Sequence, residues 1–312
     1  MAKVIKSDEK PVASKTDTRT KKQIIVEESP GVYIDPLSDF GFKRLFGDKE
    51  LMINFLNSVL KIKDNIEDLH YSNTVRTGIS KDDRSIIFDL LCTTGKGERI
   101  IVEMQTMPHD NYKERTVYYA SRLIQEQAKR GKEWNFSLKG VYSVNIVNFC
   151  VDEELSEKSY LSHIQLMYKD ILRVYYDKLT IVYLELPRFT KKENELKTNV
   201  EQWTYALKYL PKLDRLPANL RNKVFEKFFE LARIAKMSKK EQNAYYKSLH
   251  DMSIVKFTFS NMENKIAELQ KQLAEYQRMY GALEGTTPSK KPAPRSKVRS
   301  RNSAKARATA NT

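Results

Sequence analysis

The 312 residues carry 55 Lys+Arg against 40 Asp+Glu, a formal charge of +15, with 40% hydrophobic and 10% aromatic residues. That length and apolar content admit one sizeable domain with an accessory region, or two small domains, and the charge favours a polyanionic partner, either nucleic acid or an anionic membrane surface, with solubility and basic tails as the plainer alternative. Cys92 and Cys150 are the only cysteines, which excludes a disulfide framework and a thiolate zinc site, and the absence of a signal-like or membrane-length apolar run points to a soluble protein of a reducing compartment.

Residues 1–30 are rich in Lys, Ser and Thr with little periodicity and read as a disordered tail. Phe42, Leu45, Phe46, Met52, Phe55, Leu56, Val59 and Leu60 recur at helical spacing, so helix is expected over 38–60, divisible at Gly47-Asp48. Strands are expected at 68–77, 84–94 and 99–106, the last two joined by a glycine-bearing hairpin at 94–98. A helix over 110–129, ending near Gly131, precedes a buried strand over 138–151. Cys92 and Cys150 fall inside such apolar strand-like runs and are expected as small core residues. Two further strands are read at 163–169 and 179–186, then helices at 194–210, 218–235 and 239–283. This order gives a mixed α/β sheet core flanked by helices.

The last helix carries Phe259, Met262, Ile266, Leu269, Leu273, Tyr276, Tyr280 and Leu283, spaced three and four apart. Such a seam over residues 259–283 could pair with a second copy as a coiled coil, and a long amphipathic helix lying on its own domain has the same pattern. The stretch 285–312 is rich in Lys and Arg without an acid, and reads as a disordered tail attracted to phosphates. The domain reading is therefore a tail over 1–30, a core over 31–190, a helical accessory region over 191–284 and a basic tail over 285–312.

Two strands carry the chemistry. Asp89 is a lone carboxylate in the apolar run RSIIFDLLC, and Glu103 and Gln105 share one face of RIIVEMQT because alternate strand residues point the same way. Two buried carboxylates on neighbouring strands repel unless a cation lies between them. A hard divalent ion such as Mg²⁺ meets that need, since it takes one or two carboxylates, waters and a substrate phosphate. The plainer reading has both acids paired with Arg84, Arg99 or Arg115, or reaching solvent at a sheet edge. The four histidines, His70, His109, His163 and His250, have no metal-ligand spacing, and Trp203, Tyr205 and Tyr209 suit helix packing better than base stacking.

These strands, taken with their flanks, resemble the PD-(D/E)XK nuclease superfamily, in which an Asp on one strand and an E-x-K on the next bind the metal. The chain is more specifically similar to its recombination-promoting nuclease/transposase family. The likeness rests on Asp39, Phe42, Lys43 and Phe46 in a D-x-x-F-K-x-x-F opening helix, on Phe88-Asp89 with Val102-Glu103-Met104-Gln105, and on Arg115-x-x-Tyr118-Tyr119-x-Ser121. The later stretch from Leu186-Pro187-Arg188-Phe189 to Trp203 also matches, so the resemblance spans about residues 33–210.

The resemblance implies a restriction-endonuclease-like fold with Asp89 and Glu103 as principal ligands of Mg²⁺ or Mn²⁺ and the Met104 carbonyl as a third. It implies that Asp39 helps to bind the ion or orient a water; capping or opening its helix is the alternative role. Gln105 departs from the superfamily's Lys, and supplies hydrogen bonds without charge. Lys113 or Arg115 could compensate, and Lys43, Lys113 and Arg115 are candidate phosphate contacts. The function expected is a metal-dependent DNA endonuclease associated with recombination or transposition, in a bacterial cytoplasm at the nucleoid, without a membrane role. The alternative is a nuclease-fold DNA-binding or assembly protein with weak or no catalysis.

Overall fold

Ser38 accepts a hydrogen bond from Gly41 N at 3.1 Å and so caps α1 (Asp39–Phe46), with Asp39 in the first turn and Lys43 and Arg44 in the last. Gly41 is required there, because a Cβ would stand 2.0 Å from the Asp35 carbonyl oxygen. Asp48 caps α2 (Lys49–Val59) through Leu51 N at 3.1 Å, so the chain divides at Gly47-Asp48 as the sequence suggests. This computed structural model describes residues 31–76, 86–128, 134–154 and 159–281. The expected tails, Arg84, Gly131 and Leu283 lie outside the described residues.

The strands are β1 (Leu69–Tyr71), β2 (Val75–Arg76), β3 (Ile86–Ile87), β4 (Leu90–Thr94), β5 (Arg99–Gln105), β6 (Val141–Val147), β7 (Leu161–Tyr168) and β8 (Arg173–Glu185). Six form one mixed sheet in the order β1-β4-β5-β6-β8-β7, and β2 pairs with β3 in a separate ribbon. β4 and β5 form the expected antiparallel hairpin, whereas β5, β6 and β8 run parallel. The β5-to-β6 crossover is α3 (Tyr112–Gln125). The single strands expected at 68–77 and 84–94 are each broken in two, the second at Phe88-Asp89. β3 leaves the sheet to pair with β2, which puts Asp89 at a corner where β4 begins.

Helices cover both faces of the sheet. On one, Cys92, Ile100, Val102, Val144, Ile146 and Leu184 meet α1, α2, α4 (Asn199–Tyr209) and α5 (Lys223–Ala232). On the other, Ile101 and Val141 pack with Ala120 and Leu123 of α3, and Tyr183 packs with Tyr112. Central strands covered twice are apolar at nearly every position, so β5 and β6 read in the sequence as continuous runs. Trp203, fully buried, lies 4.9–5.9 Å from the rings of Phe46, Phe55, Phe225 and Phe228, and donates from Nε1 to Asn54 Oδ1 at 2.8 Å. α4 and α5 thus share one core with the opening helices. Cys92 is buried as expected, but Cys150, just past the end of β6, is exposed.

The last helix, α6, spans Lys239–Tyr280. The chain forms two compact units, one through Ile254 and one from Val255. In the first, Tyr245 Oη accepts from Asp35 N at 2.9 Å and Arg44 pairs with Glu241. In the second, the seam residues Met262, Ile266, Leu269, Leu273 and Tyr276 are exposed along one side of the helix.

Candidate active site

The bend at Asp89 and the end of β5 build the site. Asp89 Oδ2 accepts from Met104 N at 2.8 Å, and Glu103 Oε1 accepts from Asp89 N at 3.1 Å. Each acid is therefore fixed by the backbone of the other's strand, an arrangement that a straight β4 continuing its ladder would not leave open. The N–H of Met104 faces the Asp89 side, and within a strand the N–H and C=O of one residue face the same side. The Met104 carbonyl therefore points towards the same notch.

Glu103 is only 5% exposed and faces α3. Arg115 approaches its Oε2 at 3.4 Å, the long end of a hydrogen bond, and also lies 5.0 Å over the Tyr119 ring. One distant guanidinium shared with a ring neutralises the acid incompletely. Burial, and then the neighbouring Asp89 charge, push Glu103 up to about 8. Asp89 is also raised, by burial above all, against the opposing Met104 N–H.

The expected site residues separate into two groups. Asp39 and Lys43 pair with each other at 2.7 Å on the surface of α1, and both act on Asp89, Lys43 favouring its charge and Asp39 opposing it. Glu103 and Met104 hydrogen-bond with Asp89 directly, and Lys43, Asp39 and Arg115 act on it through their charges. Gln105 lies two residues beyond Glu103 on the same face, and its side chain bonds to no described residue. Lys113 points elsewhere: its Nζ meets Asp152 at 2.6 Å. Arg99 is also engaged away from the acids, with Glu126 at 3.1 Å. Tyr119 packs edge-on against Phe88 at 5.4 Å, whereas Tyr118 is exposed.

A polar row behind the acids escaped the sequence reading. Asn145, fully buried in β6, stands opposite Glu103 in the strand register, and Tyr183 of β8 stands opposite Asn145. Tyr112 of α3 donates to Asn145 Oδ1 at 3.4 Å, and Thr116 shares a 2.6 Å hydrogen bond with the Tyr183 hydroxyl. Asn145 Nδ2 donates to Ser143 O, Ser143 Oγ and Val182 O. The row fixes α3, and with it Arg115, over the end of β5. A buried Asn inside the apolar run VYSVNIV was the signal available in the sequence.

Among the described residues, no group of three or more His, Cys, Asp or Glu side chains is gathered to hold an ion. A cation here would meet two carboxylates and one strand carbonyl, with water or phosphate oxygens completing its shell. Those hard, incomplete oxygen donors suit Mg²⁺ or Mn²⁺ and not zinc. The repulsion between the two acids is what such an ion relieves.

The profile of the PD-(D/E)XK nuclease family transposases matches residues 36–256, well over half of the chain. The chain belongs to that family. The matched span begins just ahead of α1 and includes Asp89, Glu103, Gln105 and Arg115, so the family assignment and the geometry concern the same part of the molecule. Nucleases of this superfamily typically use a divalent metal, and a transposase nuclease implies DNA as its partner. No curated protein and no solved structure matches. Among the described residues no helix is long and apolar enough to cross a membrane.

Proposed function

We propose that this nuclease-family transposase is a Mg²⁺-dependent DNA endonuclease whose metal is held by Asp89, Glu103 and the Met104 carbonyl. The observation that carries the proposal is the reciprocal Asp89–Met104 and Glu103–Asp89 hydrogen bonding, which holds two raised-pKa acids side by side, with Arg115 at the long distance of 3.4 Å from Glu103. Such a pair is unfavourable as structure alone, and groups perturbed by burial and by each other are candidates for function. A bound Mg²⁺ or Mn²⁺ would lower the pKa of water and stabilise charge on the phosphodiester.

The chain's own residues have defined tasks. Met104 N–H fixes Asp89, and Asp89 N–H turns the Glu103 carboxylate. Arg115, on a rigid helix beside them, offers a planar fork to a phosphate once Glu103 is otherwise neutralised. It thereby provides the positive charge that Gln105 lacks. Gln105 can orient a water by accepting and donating hydrogen bonds. Asp39 and Lys43 shape the field at the open side of the notch.

The test is plasmid cleavage by the purified chain with Mg²⁺, with Mn²⁺ and with EDTA. Cleavage should require the ion and fall by more than about a hundredfold in both Asp89→Ala and Glu103→Ala, because even partners lying behind metal ligands cost about 10–100-fold. Unchanged cutting in both variants would refute the assignment. Salt-sensitive DNA binding without cleavage under either ion would instead support a non-catalytic assembly protein. Gln105 is the observation that favours that second reading. The exposed seam of α6 supports a homodimer in either case.

A further inference from the structure

One face of α3 beside the acids is left unexplained by the cleavage chemistry. Ile87, His109, Asn111, Glu114, Arg115 and Tyr118 line a cleft of about 570 Å³. Its walls include two large side chains that stand out into solvent, Tyr118 at 51% exposure and Ile87 at 63%. Tyr119, next in sequence, is used against Phe88 and Arg115. Tyr118 has no such partner, and among the described residues its hydroxyl makes no hydrogen bond. The cleft adjoins the acid pair through Arg115, which lines it and also reaches Glu103.

We infer that this cleft receives the unpaired nucleobase next to the phosphate held at Arg115, stacked on Tyr118. This inference rests on the endonuclease reading of the adjoining site. An aromatic face is what a base of any sequence stacks on, and Ile87 supplies a second apolar wall. The charges select base over backbone: Asp110 and Glu114 line the cleft with Arg115, so a phosphate is repelled from its interior. Those same carboxylates, with Asn111, can accept hydrogen bonds from the exocyclic amines of a base. Asn111 holds a left-handed backbone (φ 58°) at the start of α3, a fixed turn on the cleft wall. A base paired within a duplex cannot enter such a cleft, so the substrate class is DNA with an unpaired nucleotide beside the cut: a flap, a junction, a single strand or a flipped base.

The experiment uses the full chain in EDTA, where no cleavage occurs, and two oligonucleotides carrying 2-aminopurine at one position. In one the position is unpaired at a branch; in the other it is fully paired. The wild type should bind the unpaired form about tenfold more tightly and change its fluorescence, as expected for one base–aromatic stack. Tyr118→Ala should lose the tenfold preference and the fluorescence change, and Tyr118→Phe should keep both. Equal binding of the two oligonucleotides by the wild type, or no difference between wild type and Tyr118→Ala, would overturn the inference. Since no metal is needed, a Tyr118-dependent preference without any Mg²⁺-dependent cleavage would refute the endonuclease reading and leave the base site standing.

Discussion

Replacing Glu103 by Gln removes the group whose environment is most hostile to its charge. Burial and the neighbouring Asp89 raise Glu103 from 4.5 to about 8 in the folded chain without metal. A raised acid contributes stability that is fully present below the unfolded pKa and is lost as pH rises through the folded one. Between pH 4.5 and about 8 the loss is about 1.4 kcal/mol per pH unit, so by pH 7 it reaches about 3 kcal/mol. The substituted amide keeps the shape and an acceptor for Asp89 N–H but forfeits the Arg115 pairing, at a cost of about 1 kcal/mol. Glu103→Gln should therefore match or fall slightly below the wild type at pH 5, and exceed it by about 2 kcal/mol near pH 7. Urea unfolding in EDTA at several pH values measures this. His163, pushed down by burial, adds a slope of opposite sign, which is common to both proteins and cancels in the difference. Mg²⁺ should stabilise the wild type increasingly as pH rises, since binding displaces the Glu103 proton, and should leave the variant unmoved. Parallel stability–pH lines for the two proteins between pH 5 and 8 would refute the reasoning.

Gln105→Lys should restore the superfamily's charge on the Glu103 face, raise plasmid cleavage several-fold and move its pH profile to lower values; a slower or unshifted variant would count against Gln105 facing the reacting groups. Gly41→Ala forces a Cβ to within 2.0 Å of the Asp35 carbonyl, so the start of α1 must move; a loss of about 1–3 kcal/mol in chemical denaturation is expected. Trp203→Ala should cost about 3–5 kcal/mol and reduce cleavage only through unfolding, with activity per folded molecule retained. Ile266→Asp should convert a dimer to a monomer in sedimentation; an unchanged mass would leave the α6 seam without that role.

The family and the fold class were legible because their signals are local. Asp39, Asp89, Glu103 and Arg115 each sit in a short motif within or at the end of one element, and the apolar runs around Asp89 and Glu103 identify buried strands. The hairpin at 94–98 and the division at Gly47-Asp48 follow from turn and capping residues that act over three or four positions. The break at Phe88-Asp89 was not legible, since RSIIFDLLC has the composition of one strand. It depends on β3 finding β2 as a partner, a choice made by distant residues. The neutralising cation was likewise undetermined: Lys113 and Arg115 are two positions apart, yet one meets Asp152 and the other Glu103.

By itself the sequence determined the order of elements and the family, and singled out Asp89 and Glu103 as candidate acids, because periodicity, caps and short motifs are properties of neighbouring residues. Only the tertiary structure decided that Asp89 and Glu103 would be locked through each other's backbone, that Asn145 and Tyr183 would stand behind them, and that Trp203 would join the core of the opening helices. Those outcomes depend on strand register and on which faces meet, and both are settled by packing between segments far apart in the chain.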